Sequence, residues 1–137
     1  MTSPPFPIPS RHTWHHHLPP PIRTLLEQVQ EAVKHRLNIL SVAGLRMLVE
    51  AAGKTEAPEA SSLRGYLEAF LRRGLIGRRL QVWLLAVVEH GNKAIHESVA
   101  VQDEDLDALL LSVEHLLQEL YGLQAAVPPC PRRSTIS

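Results

Sequence analysis

Apolar residues recur at helical spacing in five blocks between Ile22 and Leu123, and nowhere does the chain alternate apolar and polar residues as a half-buried strand would. The first block, Ile22 to His35, repeats Leu25, Leu26, Val29 and Val33 behind Pro21, a residue suited to a helix's first position. The second runs from about Leu37 to Ala52. Its only charges are Arg46 and Glu50, so it is apolar nearly all round and belongs at the centre of a bundle, with Gly53 closing it. The third begins at Ser61 or Ser62, carries Leu63, Tyr66, Leu67 and Phe70, and stops at Gly74. The fourth, about Arg78 to Ile95, places Leu80, Trp83, Leu84, Val87, Gly91 and Ile95 on one stripe. The last opens at Asp103, whose side chain can cap, with Glu104, Asp105 and Asp107 favouring the positive end of the helix. It repeats Leu106, Leu109, Leu110, Val113, Leu117 and Leu120 and closes at Gly122. The pattern predicts an all-α antiparallel bundle of about five helices.

Proline marks the limits of this bundle. Seven of the 11 prolines lie in the first 21 residues and three in the last ten, leaving only Pro58 inside. A residue that fixes φ and lacks a donor predicts extended, weakly structured ends. The chain therefore divides into a Pro- and His-rich tail at 1–21, a helical domain at 22–123 and a second tail at 124–137.

Charge adds a limit on function. The 14 Lys and Arg equal the 14 Asp and Glu. Nucleic-acid-binding domains draw much of their affinity from an excess of cations, and none exists here overall. Because Arg11, Arg132 and Arg133 all lie in the tails, the helical part is slightly acidic. The lone Cys130 forbids an intrachain disulfide and sits between prolines, where a nucleophile would lack a scaffold. The opening residues have neither a basic n-region nor an apolar h-region, and the apolar run ending at Val88 is far too short to cross a bilayer. These features predict a cytoplasmic protein with no membrane partner and no cofactor. No glycine-rich phosphate loop, G-x-S-x-G, H-E-x-x-H or C-x-x-C is present.

Four constellations carry candidate chemistry. Asn92 and His96 lie one turn apart in the run His90-Gly91-Asn92-Lys93-Ala94-Ile95-His96-Glu97, on a face shared with Leu85 and Val88. A sheltered His with an Asn one turn before it can serve as a general base in phosphodiester cleavage; alternatively, both residues only satisfy the helix end. Arg46 and Glu50, four apart on the most apolar helix, either pair with each other and a neighbour such as His96 or line a cleft. Arg72, Arg73, Arg78 and Arg79 flank the Gly74–Gly77 turn and can grip phosphate or an acidic partner, or else simply be solvated. His12, His15, His16 and His17 can capture a transition metal adventitiously, although no Cys, Asp or Glu stands nearby to complete a specific set.

The strings Gly44-Leu45-Arg46-Met47-Leu48-Val49-Glu50, Ser62-Leu63 to Leu67, Arg73-Gly74-Leu75-Ile76 and Glu89 to Glu97 resemble the bacterial helical family called domain of unknown function 4145 (DUF4145). The shared features are an R-x-x-x-E on an apolar helix, a G-L-I turn, and a G-N-x-A-x-H box ahead of a last helix with an acidic start. The likeness spans about Ile22 to Leu123. That family resembles in turn the HEPN superfamily, helical dimers of prokaryotic defence, toxin–antitoxin pairs and RNA processing. Its ribonucleases set an Arg ahead of a His, at positions that hold Glu89, His90 and Gly91 in this chain. The missing guanidinium argues against cleavage.

The resemblance implies a non-enzymatic interaction module, homodimeric through its helical faces or bound to another protein, in a bacterial defence or nucleic-acid-handling setting. Two alternatives remain open. One is a metal-independent ribonuclease or toxin using His96 and Asn92 with Arg46 or His90. The other is a weak nucleic-acid-binding module working through Arg72 to Arg79.

Overall fold

The structure, a computed structural model, describes residues 14–122. Its five helices are α1 (Pro20–Lys34), α2 (Asn38–Glu56), α3 (Leu63–Arg72), α4 (Arg78–Glu97) and α5 (Asp103–Leu117), and a π-helical turn, Gln118–Gly122, follows α5. Among the described residues there is no strand. The all-α bundle predicted from periodicity is the observed fold.

Helix α2 is the hub and touches all four other helices. Val42, Leu45, Leu48, Val49 and Ala52 are fully buried, as an apolar helix at the centre requires. Two glycines let neighbours approach it closely. A Cβ at Gly44 would lie 2.5 Å from Val29 of α1, and one at Gly53 would run into the ring of Tyr66 of α3. Gly53 therefore does not end α2: the helix continues through it to Glu56, and the glycine is needed for clearance.

The helix ends show how local chemistry sets the turns. Ser62 caps α3 by accepting a hydrogen bond from the Gly65 amide at 3.0 Å. Helix α3 stops where Gly74 enters the left-handed region at φ 72°, with Gly74 N–H bonded to the Leu71 carbonyl and Leu75 N–H to that of Phe70. Helix α1 ends in the same paired pattern without a glycine. There Arg36 adopts φ 55°, while its guanidinium grips Asp107 of α5. Asp103 does not cap α5, whose N-cap, Gln102, makes no side-chain cap bond. Instead the Asp103 carboxylate accepts a hydrogen bond from the Asn38 side chain at 2.8 Å; the same Asn38 amide also donates to the Val101 carbonyl, also at 2.8 Å, tying the start of α2 to the α4–α5 loop.

The packed region begins ahead of Ile22, inside the segment assigned from proline content to a tail. Trp14 and Leu18 are buried in the core with Ile22 and Leu26. Pro19 stands at the N-cap of α1, with Pro20 and Pro21 in its first turn, where the missing amides cost nothing. At the other end, Gly122 lies so close to Trp14 that a Cβ there would come within 3.0 Å of the Trp14 Cβ.

Candidate functional site

Helices α2 and α4 pack antiparallel, with Asn38 near Val101 at one end and Arg46 against Gly91 and Asn92 further along. The contact depends on Gly91. A Cβ there would lie 2.5 Å from the Arg46 Cβ and 3.0 Å from its Cδ, so the absence of a side chain gives the arginine stem its path across α4. The Arg46 Nε then donates to the Asn92 Oδ1 at 2.6 Å in a part-buried setting. A neutral amide oxygen thus receives a cation's hydrogen bond, a stronger interaction than a neutral pair. Gly91 supplies the room and Asn92 the acceptor, which explains why the two stand side by side. Among the described residues, the terminal guanidinium nitrogens of Arg46 have no hydrogen-bond partner.

The sequence-derived candidates are brought together only in part. Arg46 does not pair with Glu50, which is half-buried and faces Lys54 one turn on at 3.9 Å. His96 is exposed in the last turn of α4 rather than sheltered, and there it is well placed to complement the helix dipole when protonated. His90, two residues from Asn92, points to the other side of the helix and cannot join it. In the arginine cluster, all four residues are exposed; Arg73 donates to the Glu56 carbonyl at 2.7 Å and pairs with Glu59, leaving Arg72, Arg78 and Arg79 without an ion pair among the described residues. His15 is half-buried, edge-on to Trp14 with ring centroids 4.4 Å apart, and His16 and His17 are exposed; His12 and Cys130 lie outside the described residues. Among the described residues, no group of three or more His, Cys, Asp or Glu could hold a metal ion, and no helix is long and apolar enough to cross a membrane.

A second feature of α2 escaped the sequence reading, which placed the whole helix inside the bundle. Leu40 is 66% and Met47 49% exposed. Together with half-buried Ala43 and Ala51 and exposed Lys54, they form one outward stripe spaced three, four, four and three residues apart. Leu37, Ile95 and Val99, each close to half exposed, extend apolar surface around the start of α2 and the end of α4. The signal was in the sequence: a helix apolar on every side has one face more than four neighbours can cover. Trp83 and Ile95, which periodicity sets on one stripe with Leu84 and Val87, are both exposed.

The π-helical turn after α5 carries the clearest electrostatic perturbations. Burial holds the Glu119 carboxyl above its ordinary value, partly opposed by His115. Burial beside the Glu56 carboxylate likewise pushes the Tyr121 phenol well above the usual phenol range.

No curated protein and no solved structure matches this chain. The family model described as a domain of unknown function, DUF4145, matches residues 27–134, a span holding the Arg46–Gly91–Asn92 junction and most of the bundle. The chain belongs to the DUF4145 family.

Proposed function

We propose that this domain works by protein–protein contact, as a homodimer formed through the outward stripe of α2. The observation behind this reading is the exposure of Leu40 and Met47 on a helix whose other faces are buried. Large apolar side chains left in water along one face mark an interaction surface.

The choice of a second copy as partner rests on the stripe's order. Leu40, Ala43, Met47, Ala51 and Lys54 are spaced symmetrically about Met47. A two-fold axis there sets Met47 against Met47, Ala43 against Ala51 and Leu40 beneath the methylene stem of Lys54. Such self-complementarity is what an isologous interface needs. The alanines allow close helix approach, while methionine adapts to irregular gaps. A bacterial defence or nucleic-acid-handling setting follows from family resemblance alone.

Sedimentation of the full chain at micromolar concentration is expected to show a dimer that Met47→Glu converts to a folded monomer. In a Cys130→Ser background, Met47→Cys should cross-link to itself on mild oxidation, whereas Val82→Cys should not. A monomeric wild type overturns the dimer.

One observation favours a second reading. Arg46 reaches α4 at Asn92, one turn before His96, and so brings to this box a guanidinium that the sequence lacks at the HEPN positions. A metal-independent ribonuclease on these residues predicts RNA cleavage in the presence of a chelator, abolished by His96→Ala. RNA left intact by the wild type rules it out.

A further inference from the structure

Nine residues separate Trp83 from Asn92, which puts the two on opposite sides of α4. The Trp83 side faces α5 across a cleft of about 500 Å³ lined by Leu80, Trp83, Leu111, Arg79 and His115, with Gly77 at one end. The cleft is open to solvent along one side, and its volume is in the range of small-ligand clefts.

We propose that this cleft binds an elongated apolar anion, of the acyl or aryl carboxylate class. The walls set the body of the ligand. Trp83 is 41% and Leu111 57% exposed although both helices are firmly packed beneath them through Leu84, Val87 and Leu109. The uncovered area is therefore surplus to the bundle's own core.

Charge sets the head of the ligand. No carboxylate lines the cleft. Arg79 and His115 are its titratable groups, and Arg79 has no ion pair among the described residues. A guanidinium beside an apolar trough favours a carboxylate with a hydrophobic tail over a neutral hydrocarbon, and over a hydrated polyanion that would leave Trp83 and Leu111 in water. The site is independent of the α2 stripe, so monomeric protein would bind as well as dimeric protein.

The test uses the full chain and two fluorescent probes, the anion 8-anilinonaphthalene-1-sulfonate and its neutral relative N-phenyl-1-naphthylamine, followed by displacement with decanoate. The anionic probe is expected to bind saturably and to quench Trp83, identified by its loss in Trp83→Phe. Decanoate should displace it. Trp83→Ala should weaken both probes about tenfold, a loss of about 1.4 kcal/mol, whereas Arg79→Glu should weaken only the anion to that extent. Three results overturn the proposal: no saturable binding, binding unchanged in Trp83→Ala, or an equal response of the two probes to Arg79→Glu. Binding that survives Trp83→Ala but is lost in Met47→Glu would place the probe on α2 instead.

Discussion

Arg46 of α2 hands its Nε hydrogen to the Asn92 Oδ1 of α4 at 2.6 Å, directly over Gly91. This makes one polar bond the fastener between the hub helix and the helix that carries the G-N-x-A-x-H box. Removing the acceptor leaves a part-buried guanidinium short of a partner. Asn92→Ala should therefore cost about 1–3 kcal/mol in urea denaturation, with Asn92→Asp recovering most of it because a carboxylate also accepts. A loss below a few tenths of a kcal/mol would show that water replaces the amide without penalty.

Clearance at the same junction gives a second expectation. Gly91→Ala adds a helix-favouring residue worth about 1 kcal/mol, yet its Cβ collides with the Arg46 stem, and overpacking costs about 1–3 kcal/mol. The net change should be destabilising, and Arg46→Gly, which also removes the Arg46 Cβ that would lie 2.5 Å away, should relieve the collision in the double variant. Additive losses in that double-mutant cycle would mean that the two residues do not share the space.

Trp14 is 2% exposed and packs beside Gly122. Trp14→Ala should destabilise the domain by about 3–5 kcal/mol, and deleting residues 1–18 should do at least as much harm. A domain that begins at Ile22 and melts at the same temperature as the full chain would contradict this.

Glu119 adds a pH dependence whose sign is fixed by its raised carboxyl. A folded state that holds its proton more tightly than the unfolded state is most favoured below the unfolded value of about 4.3, and loses that contribution as pH rises through the higher folded value. Glu119→Gln should therefore raise the melting temperature near neutral pH, with the gap to the wild type closing as pH falls below about 4. A gap that stays constant across this range would show that the carboxyl titrates alike in both states.

Much of the fold was legible because helical periodicity is a local property. The start of α3 at Ser61 or Ser62 and its stop at Gly74 were legible, since a serine oxygen and a left-handed glycine act within a turn of their own position; Ser62 is the one that caps. The end of α1 was less plain, for Arg36 takes the left-handed conformation without being glycine, and its partner Asp107 lies 71 residues away. Gly53 looked like a terminator because its actual role, clearance for Tyr66, depends on packing between helices. Trp14 and Leu18 were hidden by the prolines that follow them. Yet Trp14, Leu18, Ile22 and Leu26 recur every four residues straight across that proline run, a repeat that outweighs composition.

The candidate site was legible as residue types but not as partnerships. Arg46 and Asn92 were both singled out, but mainly beside companions on their own helices, because the Arg46–Glu50 and Asn92–His96 spacings suggest pairs along one helix; only the ribonuclease alternative set the two together. The pair that forms lies 46 residues apart and exists only once α2 and α4 are packed.

The contact between Trp14 and Gly122 has an architectural consequence. The described residues begin at Trp14 and end at Gly122, and the two lie in contact, so residues 14–122 form a bead whose ends meet at one spot. Such a bead can be spliced into a surface loop of a host protein without prising the host's strands or helices apart, and its own helices can be reordered by linking residues 14 and 122 and cutting elsewhere. The turn between α3 and α4 at Gly77, exposed and free of close neighbours, offers the natural place for that cut.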